Sequence, residues 1–213
     1  MSLLRVLDRL EAACKKCSRD PKSVRLVAVT KGHSVAEIQQ RVLAYGNFPL
    51  GESRIQEALP KMQALTAEWH FIGPLQRNKA RFATGFSLIH SVDSLKLAQT
   101  LARKALEEEK VLKILLEVNV AREPQKQGFM EEELADAVAK VREMEGLEAL
   151  GLMTVAPIAS DPEQVRPVFR RLSSLADRFQ LIERSMGMSQ DFEAAIQEGA
   201  TLVRVGRAIF QEA

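Results

Sequence analysis

The chain has two cysteines, one tryptophan and one tyrosine, and these scarcities narrow what it can be. Cys14 and Cys17 form a C-x-x-C pair, but no second pair exists to complete a four-ligand zinc site. A thioredoxin-like pair would follow a strand and open a helix. This pair instead closes an amphipathic helix in which Leu3, Leu7, Leu10 and Cys14 recur at helical spacing, so both cysteines are read as structural. His33, His70 and His90 come from different segments without local ligand spacing and are expected in the core or in loops, not around a metal. Charge of one sign does not accumulate: 30 Lys and Arg against 28 Asp and Glu leave a formal charge of +2, which offers little hold to nucleic acid or an anionic membrane. No stretch approaches membrane-spanning length, and Met1 to Cys17 lacks the uninterrupted apolar core of a signal peptide, so a cytoplasmic protein is expected. Low-complexity tracts and short repeats are also missing.

What is present is ordinary globular composition, 46% hydrophobic over 213 residues, enough for one large domain spanning 1–213. Apolar runs and amphipathic stretches alternate along it. Strands are predicted at Leu26–Val29, Phe48–Gly51, Trp69–Ile72, Phe86–His90, Val111–Val118, Leu147–Met153, Leu181–Met186 and Thr201–Val205. Helices are predicted between them, over Val35–Ala44, Ile55–Leu65 (bent or split by Pro60), Asn78–Phe82, Asp93–Glu109, Glu131–Met144, Pro162–Phe179 and Phe192–Gln197, with a last short one from Arg207. Eight such units imply a parallel sheet with right-handed crossovers, closed as a (β/α)8 TIM barrel with an extra N-terminal helix. An open doubly wound sheet is the alternative, but the first strand-to-helix turn lacks the glycine-rich dinucleotide fingerprint.

The chemistry centres on Val27-Ala28-Val29-Thr30-Lys31-Gly32-His33-Ser34. An apolar strand runs into Lys31, Gly32 breaks it, and Ser34 with Glu37 has capping-box spacing. A lysine there stands at the carboxyl end of a parallel strand, where α/β proteins hold ligands. If the sheet closes, the turns after strands seven and eight lie at the same rim, where barrels commonly bind phosphate. Ser185-Met186-Gly187-Met188-Ser189 and Arg204-Val205-Gly206-Arg207 each put a glycine at a helix start. A lysine amine beside a dianion-binding rim suits a ligand with an aldehyde and a phosphate, and pyridoxal 5'-phosphate (PLP) fits. Attack on that aldehyde, giving a Schiff base at Lys31, requires a neutral amine, sheltered from water or close to another cation. Arg204 shares a strand face with Leu202 and can supply that charge or face the ring nitrogen.

These segments, together with Gly51-Glu52-Ser53-Arg54-Ile55-Gln56-Glu57, Trp69 through Lys79, Gly151-Leu152-Met153-Thr154 and Val203 through Phe210, closely resemble the pyridoxal phosphate homeostasis protein family. The resemblance covers nearly the whole chain. It implies a single barrel like the N-terminal domain of alanine racemase, the type III fold of PLP proteins. Lys31 would carry the cofactor, with Ser185, Ser189 and the turn at Gly206 around its phosphate and with Ser53, Met153, Arg204 and Arg207 also among its binding residues. It also implies a protein that binds PLP reversibly in the balance of cofactor, amino acids and keto acids, without known catalysis. Three positions depart from the family pattern: Ser53 stands for an asparagine, Arg207 for a threonine or serine, and Gln211 for a glycine.

Other functions are weighed beside this one. An amino-acid racemase on this barrel needs a second base opposite the lysine, which alanine racemase takes from a tyrosine in a second domain. The single tyrosine, Tyr45, precedes strand two and falls at the wrong end of the barrel. A Schiff-base aldolase more often places its lysine on a central strand. An interaction protein could pass cofactor to apo PLP-enzymes or dock on a regulatory protein, with Trp69 to Lys79 and nearby Arg81 as a contact segment at the rim. A monomer is expected.

Overall fold

Ser2 accepts a hydrogen bond from the Arg5 backbone N–H and so caps helix α1 (Leu3–Lys16). The computed structural model describes residues 2–211. In α1, Leu3, Val6, Leu10, Ala13 and Cys14 form the buried face, as the spacing of apolar residues requires, and both cysteines are free thiols. This is the extra helix, held by the Arg9 guanidinium forking onto the Glu193 carboxylate at 2.9 and 2.8 Å.

Eight strand–helix units follow: β1 (Arg25–Val29), α2 (Val35–Arg41), β2 (Leu50–Glu52), α3 (Ile55–Ala64), β3 (Trp69–Phe71), a 3-10 segment (Arg77–Gly85), β4 (Leu88–Val92), α4 (Leu95–Glu107), β5 (Leu112–Glu117), α5 (Leu134–Arg142), β6 (Leu147–Met153), α6 (Arg166–Arg178), β7 (Glu183–Ser185), α7 (Phe192–Gln197), β8 (Leu202–Val205) and α8 (Arg207–Phe210). All neighbouring strands pair in parallel, and β8 returns to β1 with Val27 opposite Arg204 and Ala28 opposite Val205, closing the barrel. Strand alternation sorts the side chains. Val27, Leu88, Leu115, Met153 and Leu202 form an apolar cluster inside the barrel, whereas Ala28, Leu50, Ile89, Ile114, Leu116, Leu152 and Val203 belong to the larger core that includes the helices.

Several boundaries differ from expectation. The second strand begins at Leu50, not Phe48, and the fourth runs two residues later than predicted. The predicted helix over Val35–Ala44 ends at Arg41 and gives way to a 3-10 turn at Leu43–Tyr45. The helices expected from Glu131 and Pro162 each open with a 3-10 turn, and Asn78–Phe82 lies within a nine-residue 3-10 segment. The tighter turns carry the same apolar spacing as an α-helix over so few residues, so the sequence pattern could not separate them. Pro60 does not split α3; it sits in the second half of the helix, where the missing N–H removes one bond from an otherwise continuous element. Trp69 is buried at the start of β3, so of the supposed rim segment only the residues after that strand lie at the C-terminal side. No helix of the described residues is long and apolar enough to cross a membrane.

Candidate functional site

Lys31 follows β1 at the C-terminal rim. Its side chain is exposed and bonded to nothing among the described residues, while the backbone on either side is tightly held. Upstream, the Thr30 hydroxyl donates to Glu52 Oε1 at 2.7 Å. Lys61, reaching back from α3, donates to the same oxygen at 2.5 Å and to the Thr30 carbonyl at 2.8 Å. Downstream, Gly32 adopts φ +77°, which a residue with a side chain rarely tolerates, and its N–H donates to the Glu57 carboxylate at 3.2 Å. Ser34 and Glu37 then make both bonds of the capping box that opens α2. With Thr30 turned outward beneath α3, strand alternation sends Lys31 toward the mouth of the barrel. The lysine is thus a mobile amine on a fixed stem.

Lys31 lines a cavity of about 270 Å³ with Val29, His33, Gly206, Arg207 and Phe210. His33 was assigned no role from its spacing, yet its ring stacks on Phe210 at 3.8 Å and forms one wall. A side chain at 206 would bring its Cβ to 3.0 Å from the Val29 carbonyl oxygen, so glycine lets the turn after β8 pack close against the end of β1. Arg207 is exposed and also lines a second cavity of about 280 Å³, shared with Ala156, Pro157, Met188 and Asp191. Ser189 is half-buried and accepts from the Ala208 N–H at 3.3 Å, which ties the loop after β7 to the turn after β8. That loop is fixed by Asp191, whose carboxylate accepts from the Met188 N–H at 2.6 Å and whose pKa is raised by burial. It is fixed also by Gly187, at φ +88°, where any Cβ would lie 2.6 Å from that of Ala195. With six residues in α7 and four in α8, neither helix brings a long dipole to this rim, whose polar groups are the turn N–H groups and the Arg207 guanidinium.

Arg204 and Ser185 lie deeper, inside the barrel. Arg204 is buried and donates to Ser185 Oγ at 2.5 Å and to the Thr154 carbonyl at 2.9 Å. Burial pulls its pKa down to about 10, opposed by Glu117 and Asp191, so it remains a cation at neutral pH. Ser185 Oγ also bonds His90 Nδ1 at 2.7 Å, which commits the hydroxyl to the interior. Met153 is buried at the end of β6 in the apolar floor beneath the rim, and Ser53 sits half-buried after β2, its backbone packed so close to Gly73 that a Cβ there would clash. The structure therefore gathers Lys31, Gly206 and Arg207 around one cavity, with Ser189 adjoining through Ala208. Arg204 and Ser185 stand beneath this surface, and Ser53 on the β2 side shares none of the bonds that join them.

Four residues make contacts that the sequence pattern does not show. Lys61 lies nine residues after Glu52, and the turn between β2 and α3 brings the two together. Glu117 was only a strand end; burial raises its pKa to about 7, the nearby Arg204 opposing the shift. His70 and His90, expected in the core or in loops, both lie in the core, but nothing in their spacing shows that they bond each other. No group of His, Cys, Asp and Glu suited to a metal occurs among the described residues.

The rim lysine, the glycine turns after β7 and β8 and the interior arginine define a barrel of the type found in the N-terminal domain of alanine racemase, and that family matches residues 6–213. The pyridoxal phosphate homeostasis protein of Deinococcus radiodurans is 44% identical over 211 residues, covering 99% of this chain and all of its own. The chain belongs to the pyridoxal phosphate homeostasis protein family. Among solved structures, PipY of Synechococcus elongatus with PLP bound superposes with a TM-score of 0.82 at 34% identity, over 95% of this chain and 100% of that one. Alanine racemase of Clostridium difficile shares the fold alone, with a TM-score of 0.75 at 15% identity, over 97% of this chain and 56% of that one.

Proposed function

We propose that this protein binds PLP reversibly through Lys31 and serves cofactor homeostasis without turning over a substrate of its own. The observation that carries the reading is the shared cavity: an unbonded lysine amine and an arginine line one opening together with Gly206. The residues fit the group. When bound, PLP supplies an aldehyde for the amine and a phosphate for cationic and N–H donors. Lys31 would take the aldehyde end. Ser189, Gly206 and Arg207 would face the phosphate, with Arg207 offering charge where the family pattern has a hydroxyl. Arg204 would lie under the ring, held by Ser185 and Thr154, and Met153 would form part of the floor; Ser53 would contact the ring side through water or its own short hydroxyl. The exposure of Lys31 means that water is not excluded from its amine.

Open access suits loading and release better than carbanion chemistry, which needs water excluded and a second positioned base. Tyr45 is exposed in the turn before β2, on the side opposite the rim. The homeostasis name carried by the Deinococcus relative and the PLP seen on PipY agree with this reading. Apo PLP-enzymes are the partner class that a releasing protein would serve, from the cytoplasm and as a monomer.

The test is the absorbance spectrum of purified protein mixed with PLP, wild type beside Lys31→Ala, followed by borohydride reduction and peptide mapping. A visible band in the wild type, lost in the variant and fixed by reduction on Lys31, is expected. A wild-type protein that takes up no PLP overturns the reading, and steady racemisation of an amino acid at enzyme-like rates overturns its non-catalytic half.

A further inference from the structure

A line of polar side chains crosses the apolar interior of the barrel. It starts at the N-terminal face, where Glu68, just before β3, is exposed on one side and paired with Arg25 at 2.6 Å. Glu68 Oε1 lies 2.9 Å from His70 Nε2, His70 Nδ1 lies 3.0 Å from His90 Nε2, and His90 Nδ1 lies 2.7 Å from Ser185 Oγ. The last step spans the barrel from β4 to β7. Ser185 Oγ then meets Arg204, which reaches the rim at the Thr154 carbonyl. His70, His90 and Ser185 are fully buried, with Val27, Leu88, Leu115, Met153 and Leu202 forming the apolar cluster of the same interior.

With both imidazoles neutral, the chemistry of the two ends fixes the direction of every bond between them. An ionised carboxylate only accepts, so His70 must carry its proton on Nε2. A neutral His70 then has a bare Nδ1, which accepts from His90 Nε2–H. His90 in turn has a bare Nδ1, which accepts the Ser185 hydroxyl proton. Guanidinium only donates, so Ser185 Oγ accepts from Arg204. Each link uses a donor that the next link needs as an acceptor, and no group is left over. Burial first, then the neighbouring His70 and the charges of Arg204 and Arg25, hold the pKa of His90 well below the usual imidazole value, consistent with a neutral ring. The other charged groups near the line are Glu117 and Asp191 on the Arg204 side.

We propose that Glu68, His70 and His90 are positioning residues that act through Ser185 on Arg204, so that a carboxylate on one face of the barrel sets the hydrogen-bond direction at the cofactor rim on the other. Without an acceptor at position 68, His70 is free to hold its proton on Nδ1. The column then reverses: His90 donates to Ser185, the serine hydroxyl turns its proton away from the interior, and the bond that orients Arg204 is shared with a second donor. The inference rests on the PLP reading for its consequence, but the column itself exists without cofactor.

The chain has three histidines, which makes imidazole ¹⁵N NMR of the cofactor-free protein decisive. In the wild type, both buried rings are expected as Nε2–H tautomers, with the signals of His33 assigned separately. A proton on Nδ1 of His70 or His90 overturns the proposal. Glu68→Ala should populate the reversed tautomers and weaken PLP binding about three- to tenfold, the worth of one hydrogen bond. Glu68→Gln, which can accept the same bond at its amide oxygen, should restore both. Unchanged tautomers and affinity in Glu68→Ala overturn the long-range link. Failure of the wild type to take up PLP strikes the functional reading instead, and the tautomers still decide whether the column exists as described.

Discussion

The ammonium of Lys61 donates to the carbonyl oxygen of Thr30 at 2.8 Å, so one lysine on a helix fixes the backbone from which another, Lys31, reaches into the rim cavity. The same ammonium is paired with Glu52, which is fully buried.

Breaking this pair should be far more harmful than removing it. Lys61→Met leaves the Glu52 carboxylate buried with only the Thr30 hydroxyl to satisfy it, and a loss of about 3 to 5 kcal/mol is expected in urea unfolding. The double variant Glu52→Gln with Lys61→Met should recover much of that loss, because no uncompensated charge remains. Equal destabilisation of single and double variants would show that packing, not charge, is what the site needs.

Lys31 behaves oppositely. Its side chain touches no polar partner among the described residues and is exposed, so Lys31→Ala should shift stability by no more than about 0.5 kcal/mol while abolishing the PLP absorbance band. Thermal unfolding and the visible spectrum, measured on the same sample, separate the two effects.

Glu117 gives the fold a pH dependence of recognisable sign. Burial lifts its pKa to about 7, above the ordinary carboxylate value of the unfolded chain. The unfolded state therefore releases its proton first as pH rises. Stability should fall between about pH 4.5 and 7 and level off above. Glu117→Gln should remove this slope and be more stable than wild type at about pH 8, by roughly 1 to 3 kcal/mol. Urea midpoints across that range check the sign; a variant less stable than wild type at high pH would show that the charged form is stabilised after all.

The capping box beside the lysine is testable by titration. Hydrogen bonds from the Ser34 backbone and hydroxyl, and then from His33, hold the Glu37 carboxyl at about 2. Ser34→Ala should raise that value toward the ordinary range and cost about 1 kcal/mol of stability through the lost cap. Carboxyl ¹³C shifts followed by NMR report the first, and denaturant melts the second.

Much of this site could be read along the chain because its parts are local. Lys31 is announced by an apolar strand ending in glycine, and the Ser34–Glu37 cap by a three-residue spacing that the structure reproduces bond for bond. Gly187 and Gly206 were readable as turns because only glycine suits the backbone or the space at each. Lys61, Glu117 and the His70–His90 pair were not readable. Their neighbours are contributed by other strands and helices, and a charged residue on a helix looks the same in sequence whether it meets water or a buried carboxylate.

The sequence by itself determined the alternation of strand and helix, the closure into eight units and the lysine at the end of the first strand, because periodicity and turn chemistry act over a few residues. Tertiary structure alone decided which polar groups lie inside. The closure of β8 on β1 puts Arg204 opposite Val27 in the interior, and the approach of β4 to β7 across the barrel joins His90 to Ser185. Those contacts depend on strand register and barrel geometry, which bring together residues 95 positions apart and leave no trace in local spacing.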